Sequence, residues 1–102
     1  MRVITAKMVQ VMAARDPAAA NSLARWLELA GEARWRRLSD VRRVFPHADE
    51  VKVESGRGVV IFNIAGNKYR LITAMHYDRD RIFVRMLLSH AEYSKDRWKG
   101  QL

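Results

Sequence analysis

The sequence predicts an α+β fold: N-terminal helices packed on one face of an antiparallel β-sheet, closed by a short C-terminal helix. Two observations carry this. As far as Phe45, apolar residues recur at helical intervals, as in Leu23, Trp26, Leu27 and Ala30. From Val51 onward they alternate with a period of two, in runs separated by short turns. Helices gathered in one half and strands in the other favour a sheet covered on one side over alternating β-α-β units. The 102 residues fit one domain, 1–102, with no internal repeat, low-complexity tract or linker.

Residues 2–4 read as a short strand, and Met8, Val11 and Met12 place a first helix near 5–14. Asp16-Pro17 then reads as a helix start, with Asp as N-cap and Pro at the first helical position. This second helix ends near Gly31. Ser39 is placed to cap a short third helix carrying Val41, Val44 and Phe45, which Pro46 stops. Strands follow at 51–54, 58–64, 67–77 and 81–89, the later ones joined by Ala65-Gly66 and by Asp78-Arg79-Asp80. Ser89 and Glu92 match the capping box S-x-x-E, so a helix starts directly after the last strand.

Charge is the strongest bulk signal. Lys and Arg number 19 against 11 acidic residues, a formal net charge of +8, and Arg supplies 14 of the 19. Arg forks onto phosphate and stacks on bases, where Lys is a compact point charge. A polyanionic partner follows, or more simply a basic surface that keeps a small protein in solution or meets an acidic one. There is no Cys, which excludes disulfides and the usual Cys-containing zinc sites. The start MRVITAKMVQVMAARDP lacks the continuous apolar region of a signal peptide, and no run approaches the roughly 18 apolar residues of a membrane span. A cytoplasmic protein without membrane association is expected.

Within the strand at 67–77, Lys68, Arg70, Ile72, Ala74 and His76 share one side and Tyr69, Leu71, Thr73, Met75 and Tyr77 the other. In the last strand, Arg85 goes with Phe83 and Leu87, against the apolar set Ile82, Val84, Met86 and Leu88. If that set faces the helices, Arg85 joins Lys68 and Arg70 on the open face. Three neighbouring cations repel one another unless an anion sits among them, and a phosphate suits the arrangement. Solvated cations guarding an exposed strand from aggregation would give the same pattern. Beyond the sheet, His90 falls in the first turn of the last helix, where it could relay a proton or lie against the sheet edge. Glu92 is explained by the cap, and Tyr93 could stack on a base, donate to a phosphate or simply pack.

Three scattered His and no carboxylates at ligand spacing give no reason to expect a metal, and no Gly-rich phosphate loop or nucleophile elbow is present. Hydrolysis or transfer would have to run on cations and proton donors alone. RNA suits such chemistry, because its 2′-hydroxyl is an internal nucleophile.

The segment from Trp35 to Pro46, the stretch VIFNIAGNKYRLI at 60–72 and the tail SHAEYSKDRW at 89–98 resemble the HigB toxins of bacterial type II toxin-antitoxin modules, within the RelE-like superfamily. The resemblance implies a metal-independent, cofactor-free endoribonuclease that cuts mRNA, typically on the translating ribosome. It also implies a cognate HigA antitoxin, a helix-turn-helix protein through which alone operator DNA would be contacted. The matching positions are Asn63, Asn67, Lys68, Tyr69, Arg70, His90, Glu92 and Tyr93. The family's usual ending is closer to T-H-A-E-Y-D-K-I-D-W, so Ser89, Ser94 and Arg97 depart from it, and Ser94 removes the acid after the tyrosine. On this reading Lys68 and Arg70 stabilise charge on the phosphorane with Arg85 assisting, and His90 or Tyr93 handles a proton, with Lys68 an alternative base. Arg34, Arg36, Arg37, Arg42 and Arg43 are candidates for ribosomal RNA backbone contact, or else a solvated helix face. Asn67, Tyr69 and Lys95 complete the candidate RNA contacts. A non-catalytic basic module that binds RNA or a protein is the alternative.

Overall fold

In the computed structural model, which describes residues 1–102, one five-stranded sheet in the order β1-β5-β4-β3-β2 separates three helices from the C-terminal segment. The strands are β1 (Arg2–Ile4), β2 (Asp49–Lys52), β3 (Gly58–Ile64), β4 (Tyr69–His76) and β5 (Arg81–Ser89). The helices are α1 (Ala6–Arg15), α2 (Ala20–Glu32), α3 (Leu38–Val44) and the single turn-and-a-half α4 (His90–Ser94). Neighbouring pairs among β2, β3, β4 and β5 run antiparallel as expected. β1 departs from the expectation and joins β5 in parallel, Arg2 opposite Arg81 and Ile4 opposite Phe83. Three residues carry no directional signal, and the partner strand lies at the other end of the chain.

Two helix starts differ from the sequence reading. Asp16-Pro17 opens a 3-10 turn at Pro17–Ala19, and α2 begins only after it; the Asp16 carboxylate is engaged by Arg15 Nε at 2.8 Å and caps nothing. Ser39 lies inside α3. The start of that helix is held by Asp40, whose Oδ2 accepts the Arg36 backbone N–H at 3.0 Å.

The main core fills the space between the helices and the sheet, where 17 buried residues form one cluster. Phe62 of β3 is its centre, edge-on to Trp26 at 5.4 Å and to Phe45 at 5.2 Å and stacked with Trp35 at 6.2 Å. This is the stripe of α2 meeting the inward residues of a period-two strand. The other sheet face is not open along its length. Val53, Val59, Ile61 and Ile72 gather there around Trp98 of a 3-10 turn at Arg97–Gln101, with Met86, Leu88, Tyr93 and Leu102 packed against them.

A β-bulge brings β5 into this second cluster. Met86 stands opposite Ile72 and Val84 opposite Thr73, which leaves Arg85 as the extra residue. Inserting one residue into a strand reverses the facing of everything beyond it. Ile82 and Val84 therefore pack on the helix side, whereas Met86 and Leu88 turn to the opposite face and Leu87 turns inward. The expectation that Ile82, Val84, Met86 and Leu88 form one helix-facing set is corrected at that residue. In β4 the predicted alternation holds, with Leu71 in the helix-side cluster and Ile72 in the other.

Candidate functional site

At the end of the sheet where β4 begins, four residues converge: Asn67, Arg70, His90 and Tyr93. The hairpin before β4 is a four-residue turn, since Ile64 pairs with Tyr69. Ala65 (φ +53°) and Gly66 (φ +68°) turn the chain through the left-handed region, and the Ala65 N–H is tied to Ser22 Oγ of α2 at 2.9 Å. Lys68 thus belongs to the turn and not to the strand, with an exposed side chain. Its carbonyl accepts the His90 N–H at 2.9 Å, which fastens the hairpin to the start of α4.

Arg70 is 9% exposed, yet none of the protein's five ion pairs includes it. Its Nη1 donates to the Asn67 and Tyr69 carbonyls, both at 3.1 Å, and its Nη2 to Asn67 Oδ1 at 2.6 Å. The remaining Nη2 contact reaches His90 Nδ1 at 3.4 Å. A guanidinium only donates, so in this contact Nδ1 accepts and the neutral ring keeps its proton on Nε2. Carbonyl dipoles hold the cation in place without cancelling its charge. A buried cation with no carboxylate partner favours an anion at its exposed edge.

Tyr93 closes the site from the other side. Its ring lies parallel to Trp98, centroids 5.3 Å apart at 18°, and the Arg70 guanidinium carbon stands 5.6 Å from the ring centroid. Trp98 and Arg70 therefore compete with any base for the faces of this ring, and the hydroxyl is its polar group. Burial, and then the negative charge of Asp49, raise the hydroxyl above the ordinary tyrosine range, against the lowering influence of Lys99 and Arg70. The phenol is therefore a proton donor throughout neutral pH.

The helix that carries His90 and Tyr93 has only five residues and owes its start to the predicted capping box: Glu92 N–H to Ser89 Oγ at 3.2 Å and Ser89 N–H to Glu92 Oε1 at 3.1 Å. The Ser89 backbone and side-chain hydrogen bonds hold the Glu92 carboxyl below its usual range. A lowered folded value means that this contribution is complete above the unfolded value and is lost as pH falls through the folded one. Ser89→Ala should lower the unfolding free energy by about 1 kcal/mol, read by chemical denaturation at neutral pH.

Other candidates lie elsewhere. Arg85, at the bulge, lines a separate hollow with Val53, Arg57, Val59, Ala74 and Leu102. Tyr69 points to the helix side and borders a depression with Arg15, Asp16 and Glu92, away from Arg70. Asn67 spends its carbonyl and amide oxygen on Arg70 and positions that side chain, leaving only its amide nitrogen for RNA. The arginine segment does not form one surface. Arg34 and Arg36 face Tyr77, Asp78 and Asp80 near the far end of β4, about 20 Å from Arg70 at 3.3 Å per strand residue. Arg42 holds the Ala48 carbonyl at 2.9 Å, and Arg43 lies 3.8 Å from Asp40, while Arg37 is exposed and unpaired. Lys95 is exposed beside Glu92, Arg97 and Trp98.

Two residues were not singled out as site members. Trp98 stacks on Tyr93, and His47 lines a hollow with Asn63, the cross-strand neighbour of Arg70. Apolar periodicity does not reveal the Trp98 stack, because it depends on how the chain turns after α4. No group of three or more potential metal-ligating side chains is present, and no helix is long and apolar enough to cross a membrane.

Compared with known proteins, residues 19–96 match the family described as HigB_toxin, RelE-like toxic component of a toxin-antitoxin system. The chain is 23% identical over 93 residues to the mRNA interferase toxin HigB of Escherichia coli (strain K12), an alignment spanning 91% of this chain and 88% of that one. It is similar to the same extent to proteins named mRNA interferase HigB in Escherichia coli O157:H7 and Shigella flexneri.

Proposed function

Since the chain belongs to the HigB family, RelE-like toxic components of toxin-antitoxin systems, we propose that it is a metal-independent endoribonuclease that cleaves mRNA on the translating ribosome. The observation that carries the reading is Arg70: a fixed, buried cation without an acidic partner, beside one imidazole and one phenol. An RNA phosphodiester at the Arg70 rim would meet the exposed Lys68 and His90 and the hydroxyl edge of Tyr93.

The chemistry follows from these groups. A base removes the proton of the 2′-hydroxyl, the 2′-oxygen attacks the adjacent phosphorus, and the bond to the 5′-oxygen breaks as that oxygen takes a proton. The products are a 2′,3′-cyclic phosphate and a 5′-hydroxyl end. In the tautomer set by Arg70 the His90 lone pair lies on Nδ1, which takes the 2′-hydroxyl proton once a phosphate at the rim draws Arg70 Nη2 away from it, and Tyr93, kept protonated by burial, suits the acid. Arg70 and Lys68 offset the charge that builds on the phosphorane oxygens. The partner expected to silence this activity is a HigA-type helix-turn-helix antitoxin in the same cytoplasm.

Purified protein in a translating extract, with RNA 5′ ends mapped, tests the reading. New 5′-hydroxyl ends within translated messages are expected. Binding to RNA or ribosomes without any new end would overturn it and leave the non-catalytic basic module. Tyr93→Phe keeps the ring between Arg70 and Trp98 but removes the hydroxyl. It should slow cleavage by about 10²-fold or more with little change in thermal stability.

A further inference from the structure

Trp98 lies past the residues matched to the family, in the 3-10 turn at Arg97–Gln101 that follows α4. We propose that it is a positioning residue: its indole braces Tyr93 and, through Tyr93, fixes the Arg70 guanidinium at the rim where the phosphodiester would bind. The inference rests on the endoribonuclease reading above and assigns a role to a residue that makes no contact with the reacting atoms.

Three observations converge on it. The indole is 3% exposed and is packed among Val53, Val59, Ile61 and Ile72 on the sheet face opposite the main core. It is rigidly seated there. From that seat it holds Tyr93 twice, by the parallel ring stack at 5.3 Å and by donation from its Nε1 to the Tyr93 carbonyl at 3.0 Å. Tyr93 in turn lies against the Arg70 guanidinium at 5.6 Å. The ladder Arg70, Tyr93, Trp98 therefore runs without a gap from the site to the second hydrophobic cluster.

The brace is needed because α4 has five residues. A helix so short has no stability of its own, and its orientation comes from its two ends. The capping box and the Lys68 carbonyl fix the beginning. Trp98 fixes the end. The turn carrying it is tied down by the Glu54 N–H to the Lys99 carbonyl at 3.1 Å and by the Lys99–Asp96 ion pair at 3.2 Å.

The test compares single-turnover and steady-state cleavage by Trp98→Ala, Trp98→Phe and Val53→Ala in the full chain, with the Arg70 side-chain N–H signals followed by NMR. Val53 shares the cluster, and its backbone hydrogen bonds go to Arg57 and Gly56 rather than to α4. In Trp98→Ala the rate of the chemical step should fall about 10²-fold, the cost of a small misplacement, with KM moving less than about threefold. Trp98→Phe, which keeps the stack, should recover most of the rate, and Val53→Ala should cleave like the unaltered protein while melting earlier. The Arg70 signals should broaden in Trp98→Ala alone. Unchanged cleavage by Trp98→Ala, an equal loss in Val53→Ala, or no recovery in Trp98→Phe would overturn the brace. If the unaltered protein leaves RNA uncut, the endoribonuclease reading falls instead, and unchanged Arg70 signals in Trp98→Ala would then overturn the brace by themselves.

Discussion

Replacing Arg70 by Met should reduce RNA cleavage by about 10²- to 10³-fold, the usual loss when one preorganised charge-stabilising donor is removed. The fold should survive. A buried cation without a carboxylate partner is held against a desolvation cost of several kcal/mol. Met fills much of the same volume and packs favourably against the Tyr93 ring. The carbonyls of Asn67 and Tyr69, which lose their donor, lie near enough to the rim to take water. The change in unfolding free energy should therefore stay within about 2 kcal/mol. Arg70→Lys should restore only part of the rate: an ammonium supplies charge but not the planar fork that spans Asn67 and His90. Mapped RNA ends for activity and thermal unfolding for stability check both halves. Equal losses in rate and stability would make Arg70 a structural residue.

The largest effect on stability should come from Phe62→Ala. Phe62 is fully buried and touches Trp26, Trp35 and Phe45 at centroid distances of 5.2 to 6.2 Å. Those rings come from α2, the α2–α3 loop and the residue following α3, so one side chain ties three helix-side segments to the sheet. Truncation leaves a cavity that these rigid neighbours do not collapse to fill, at a cost of about 3–5 kcal/mol. Against a total of about 5–15 kcal/mol for a domain of this kind, the variant should melt far below the unaltered protein or accumulate unfolded. Urea denaturation followed by near-ultraviolet dichroism would read it directly, because the same aromatic cluster gives the signal. A shift under about 1 kcal/mol would mean that the cluster repacks.

Much of the molecule was legible in its residues. The change from helical spacing to alternation at Val51 announced helices on one side of a sheet. S-x-x-E at 89–92 placed the last helix start where it stands, because a capping box is a local hydrogen-bond pattern that needs no knowledge of the rest of the chain. The VIFNIAGNKYRLI stretch and the HAEY tail carried the family resemblance, and the match over residues 19–96 agrees with it. Arg70 and His90 were singled out from position alone and do come together.

Tertiary structure decided the rest. The bulge at Arg85 is one unpaired residue whose side chain gives no sign of it, since bulges are fixed by cross-strand register. Yet it turns Met86 and Leu88 to the second face, against the cluster on which Trp98 rests. For Tyr93 the sequence leaves stacking, donation and packing open, and the contacts with Trp98 and Arg70 come only with the fold. Local propensity and periodicity, properties of neighbours in the chain, fixed what the elements are. Which cations share a site, which ones are separated by the length of a strand, and which aromatic ring is free were set by contacts between residues far apart in sequence, to which no local pattern responds.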